Sequence, residues 1–132
     1  MIITGPRSSY FSVEVNHGGY FLGEGKNRSY VSGVSQWIDH VDSVTWSALM
    51  LENLIEEMGY EMSGRITVHF CDPFRSVSTD GLRKLSGDED CEAMLYFLGM
   101  GQHFFSLYLD HDDSLLARNW DDVVQFPVID LP

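Results

Sequence analysis

YFSVEVNHGGYFL, residues 10–22, is the stretch on which the fold turns. Phe11, Val13 and Val15 alternate with Ser12, Glu14 and Asn16, the period-2 spacing of a strand with one buried face. His17-Gly18-Gly19 then reads as a tight turn, because glycine adopts positive φ without steric penalty. Tyr20, Phe21 and Leu22 resume an extended run, which predicts a hairpin of strand, turn and strand. Gly23, Gly25 and Asn27 interrupt the second run and predict a bulge or bend before Tyr30 and Val31.

After that hairpin, residues 32–42 hold Trp37 and Ile38 among polar neighbours and read as a connecting loop. A helix follows, since Ala48, Leu51, Leu54, Ile55 and Met58 recur at helical spacing with Glu52, Asn53, Glu56 and Glu57 opposite. Asp42, Ser43 or Thr45 is expected to cap its first turn, and Gly59 to end it in the left-handed conformation. Ile66, Val68 and Phe70 alternate with Thr67 and His69 as a third strand, and residues 82–85 form a short extended piece. A second helix spans residues 89–98, with Asp88, Glu89 and Asp90 at the positive end of its dipole. Phe105, Leu107 and Leu109 alternate as a final strand.

That order is the ubiquitin-like β-grasp layout: an α+β fold with a mixed sheet of four to five strands and two helices. Residues 1–9 read as a flexible leader and residues 10–113 as the domain. Residues 114–132, with Val123, Val124, Phe126, Val128, Ile129 and Leu131, are too apolar for a linker and are expected to pack on the domain or on a second copy. There they would cover an open sheet edge.

The chain has 132 residues, about one domain's worth, and its 44% hydrophobic content supplies one core. Eight Lys and Arg against 20 Asp and Glu leave a net charge of −12, which opposes nucleic acid and anionic membranes. No apolar run approaches the ~20 residues of a membrane span, and residues 1–9 lack the apolar stretch of a signal peptide. Two cysteines make no disulfide framework, so a reduced compartment, nucleus or cytoplasm, is expected.

Covalent and metal chemistry find little support. Cys71 ends a strand and Cys91 sits among Ala93, Met94 and Leu95, where neighbouring acids would raise a thiol pKa. His17, His40, His69 and His103 show no zinc spacing, and Asp110-His111-Asp112-Asp113 point to alternate sides of an extended strand. Gly25-Lys26 would need Gly in place of Tyr20, and Ser or Thr in place of Asn27, to cradle phosphates. No catalytic residue, metal or cofactor is assigned.

The phrases FSVEVNHGGYF (11–21), NRSY (27–30), WIDH (37–40), TWS (45–47) and YLDHDD (108–113) resemble, in this order, the plant PB1-like domain. That module occurs at the N-terminal side of Mutator-type transposase-like proteins. The resemblance implies a β-grasp fold and a non-catalytic protein-interaction role. In PB1 domains an acidic motif leading into the second helix pairs with a basic face on another molecule. Asp88, Glu89, Asp90 and Glu92, joined by Asp80, stand at the matching place. The strand from Tyr10 to Asn16 carries no Lys or Arg, and the nearest basic candidates are Lys26 and Arg28. Trp46 reads as core, whereas Trp37 and Trp120 are candidate aromatic anchors.

The expected partner is therefore a protein, basic or a second copy of the chain. Two alternatives remain: a nucleic-acid-associated accessory domain, which a negative gel shift at low salt would end, and a small His/Asp hydrolase, which needs a pocket of perturbed carboxylates.

Overall fold

A computed structural model describes residues 9–61, 66–79 and 81–111. The order is β1 (Tyr10–His17), β2 (Tyr20–Leu22), β3 (Ser29–Val31), β4 (Val34–Asp42), α1 (Ala48–Glu57), β5 (Ile66–Cys71), β6 (Leu82–Lys84), α2 (Asp88–Gly99) and β7 (Phe104–His111). Asp80, Asp112, Asp113, Trp120, residues 1–8 of the leader and the whole apolar tail lie outside the described residues.

Alternation dictates the centre of the molecule. Phe11, Val13 and Val15 of β1 and Phe105, Leu107 and Leu109 of β7 are all buried on one face. These strands run parallel at the middle of a five-stranded sheet ordered β4-β1-β7-β5-β6, and the other neighbours are antiparallel. First and last strands paired in parallel, with α1 covering the face between them, make this the ubiquitin-like β-grasp arrangement. Leu51 and Ile55 of α1 and Cys91 and Met94 of α2 close over Val13, Val68 and Leu107 in one apolar cluster. Each fully buried aliphatic side chain there is worth roughly 1.5–3 kcal/mol against solvent exposure. Trp46 belongs to the same core and meets Phe11 edge-on at 5.4 Å.

Residues 32–42 are not a loop. Nine of them form β4, the edge strand beside β1. The apolar signal was broken by a bulge: Phe11 pairs with Val41 but Val13 with Ile38, so β4 carries one more residue than its partner there. His40 sits in this bulge at φ +61. Ile38 and Val41 consequently serve one face at a spacing of three.

The predicted β1–β2 hairpin is also corrected. β2 pairs with β3 as a separate two-stranded sheet, joined through a 3-10 turn at Gly25–Asn27, and β4 takes the place beside β1. Phe21 explains why. It is 1% exposed and packs on Tyr30, Tyr108 and His69, so the hairpin lies over the sheet face opposite the helices. Tyr30 fastens it by donating to the Leu109 carbonyl at 2.7 Å and accepting from Gly19 N–H at 3.0 Å. Gly19 permits this approach, because a Cβ there would run into the Val31 carbonyl oxygen.

The cap of α1 is Ser47, whose side chain accepts from Met50 N–H at 3.2 Å, rather than any of the three residues expected. Asp42 instead closes the preceding turn by accepting from Val44 N–H. Gly59 ends the helix at φ +101, as its position predicts.

Candidate functional site

The acidic run at residues 88–92 lies where the two helices begin side by side. Gly87 is the N-cap of α2 and offers no side-chain acceptor. Asp90 instead reaches back out of the first turn, accepting from Ser86 N–H at 2.8 Å and Ser86 O–H at 3.0 Å, and so fixes the chain's entry into the helix. The backbone hydrogen bond, and then the hydroxyl, hold its carboxyl below the usual aspartate pKa. Asp88 crosses to the other helix and accepts from Ala48 N–H at 2.9 Å. That amide opens α1 and has no intrahelical acceptor. One short acidic segment thus caps α1 and ties down the entry to α2, and both positive dipole ends face it.

The remaining two carboxylates, Glu89 and Glu92, are exposed. Beside them runs a groove of about 870 Å³ between α2 and β6, floored by Phe70, Leu82 and Phe97 and edged by Arg83, Lys84 and Asp90. Arg83 pairs with Asp72 at 3.4 Å. Sequence reasoning missed these two cations. The three-residue β6 puts Arg83 and Lys84 back to back, too short a run for alternation to assign their faces.

The other candidates are scattered. Lys26 is exposed on the 3-10 turn of the hairpin, and Arg28 is half-buried just after it. Trp37 is 52% exposed on the edge strand, its ring 5.8 Å from that of Phe104. None of these joins the acidic segment, and Asp80 and Trp120 lie outside the described residues.

Two histidines separated in sequence do meet. His17 Nδ1 lies 2.7 Å from the Tyr60 hydroxyl, and His111 Nε2 accepts from Gly18 N–H at 3.0 Å, with the Tyr60 and His111 rings 5.0 Å apart. Burial, then the neighbouring His111, lowers the His17 pKa. These contacts bind the β1–β2 turn to the end of β7. Among the described residues no three His, Cys, Asp or Glu side chains converge as metal ligands. Burial, then Asp88 and Asp90, pushes the Cys91 thiol up to about 11, and burial, then Asp72, raises Cys71, so both stay protonated at neutral pH.

An α+β grasp with a capped acidic segment at the start of its second helix defines a class of small interaction modules. The PB1-like domain family matches this chain over residues 7–111, and the chain belongs to that family. No curated protein and no solved structure gives a significant match.

Proposed function

We propose that this domain docks onto a protein partner through the acidic start of α2, with the outward edge of β4 as a second surface. The partner is a basic protein or a second copy of the chain. What supports the reading is a division of labour among four carboxylates. Asp88 is committed to capping α1 and Asp90 to holding Ser86, which fixes the segment, while Glu89 and Glu92 project from it with no side-chain hydrogen bond among the described residues. A rigid pair of outward charges favours charge-assisted contacts with Lys or Arg and raises specificity and association rate. On β4, Val34 and Trp37 are exposed on a strand edge that no other described strand pairs, a site for strand addition. The apolar tail of residues 114–132 would cover that edge, in cis or in trans. The sequence resemblance supports reading the module as part of a plant transposase-like protein, in the nucleus or cytoplasm.

The cleanest test separates charge from capping. The Glu89→Gln/Glu92→Gln variant keeps the Asp88 and Asp90 hydrogen bonds and removes two charges. Light scattering across a salt series reads self-association, and pull-down from plant nuclear extract reads partner capture. Loss of either association in the double variant, with salt mimicking that loss, supports the docking surface; association unchanged by both sinks it. For the edge, deleting residues 121–132 is expected to lower the melting temperature or change the elution volume.

A further inference from the structure

On the sheet face away from the helices, a cleft of about 470 Å³ opens between the β2–β3 hairpin and the connection from β5 to β6. Two arginines line it, Arg28 just after the 3-10 turn of the hairpin and Arg75 on the connection. In a chain with eight basic residues and a net charge of −12, two of them sharing one small cleft is a local reversal of sign. Among the described residues neither guanidinium forms an ion pair, and no carboxylate lines the cleft. Arg28 Nε is fully buried there and has no hydrogen-bond partner. A buried, charged donor left unsatisfied is costly, and a side-chain shift that brings it to an acceptor in the cleft would relieve that cost. Ser29, Ser78 and Tyr108 add hydroxyls to the lining. Burial raises the Tyr108 pKa, so its phenol remains a donor.

We propose that this cleft binds a phosphate monoester, presented as a phosphoserine or phosphothreonine of a partner peptide. Donors carried by two separate segments match a tetrahedral dianion with three free oxygens, whereas a planar carboxylate is satisfied by one forked guanidinium. Repulsion by the rest of the molecule disfavours polyanions, so a single phosphate within a basic stretch fits better than a nucleic-acid backbone or an anionic membrane. The site is separate from the acidic start of α2 and does not depend on docking there.

The test compares an arginine-flanked phosphoserine peptide with its unphosphorylated twin by calorimetry on the full chain. Arginine side-chain N–H resonances are followed by NMR in parallel. Phosphorylation is expected to tighten binding at least tenfold and to shift the Arg28 and Arg75 signals. Arg28→Gln and Arg75→Gln should each remove most of that preference, and the Glu89→Gln/Glu92→Gln variant should retain it. Should Arg28→Gln fail to fold, the exposed Arg75 carries the test alone. A ratio near one, or a preference that survives both arginine substitutions, overturns the proposal. So does inorganic phosphate shifting both signals without any phosphopeptide preference, which would mark an adventitious ion only. Tighter binding of an oligonucleotide or of phosphoinositide vesicles overturns the assignment to a peptide.

Discussion

Asp88 shows how one carboxylate can be mistaken for a purely functional charge. Its Oδ1 satisfies the opening amide of α1 from a position 40 residues downstream. Removing a helix-capping acceptor costs about 1 kcal/mol, so Asp88→Ala should lower unfolding free energy by about that amount in urea titration. Asp88→Asn keeps an acceptor oxygen and should recover most of the loss while still deleting the charge. Equal effects of the two substitutions would show that the hydrogen bond does not matter. His69 makes the complementary case for pH. It is 8% exposed, and its Nδ1 is buried without a partner. Burial, the largest cause, lowers its pKa from 6.5; Asp110 opposes this, and Lys84 and Arg28 add to it. The unfolded chain therefore takes up the proton first as pH falls. The stability His69 contributes is fully present above about pH 6.5 and is lost as pH drops toward the lowered value. Unfolding free energy should decline from pH 7.5 to 5, and His69→Gln should flatten that slope in part, because His17 shifts in the same direction.

At the scale of elements, the β2–β3 hairpin behaves as a lid with its own small core. Phe21 is absent from the main cluster and packs instead on Tyr30, Tyr108 and His69. Phe21→Ala should cost about 3 kcal/mol, the usual penalty for a buried phenylalanine. Hydrogen exchange should show the loss concentrated in residues 20–31, with β1 and β7 still protected; uniform deprotection would contradict an independent lid. Which elements could be read beforehand follows from the same geometry. β1, β5 and β7 alternate because they are interior to the sheet, and α1 keeps a continuous apolar stripe. β4 was illegible because it is an edge with only Val41 fully buried, and because its bulge moves Ile38 and Val41 out of period-2 register. Because Tyr20–Leu22 follows β1 after two glycines, the sequence pairs it with β1, and only the burial of Phe21 reveals where it goes. At the candidate site the acidic cluster was visible as four carboxylates within five residues. Its capping duties were not, since the acceptor–amide pairing with Ala48 exists only once the helices are packed.

For the whole molecule, the excess of 12 negative charges sets two salt dependences of opposite sign. Like charges crowded onto a small domain repel, and that repulsion is stronger in the folded chain than in the expanded one. Raising ionic strength from about 10 to 150 mM shortens the screening length from roughly 30 to 8 Å, short enough to suppress repulsion between most surface carboxylates. The melting temperature should therefore rise with sodium chloride over this range. Docking of a basic partner at Glu89 and Glu92 should weaken over the same range, because the attraction that guides it is screened by the same ions. Measuring both on one sample gives a diagnostic pair. A rising melting temperature with falling affinity is expected if the acidic surface is a recognition element. A rising melting temperature with salt-indifferent affinity would assign the negative charge to solubility alone and move the docking contact to the apolar edge of β4. A melting temperature that falls with salt would mean that attractive pairs, such as Arg83 with Asp72, outweigh the repulsion.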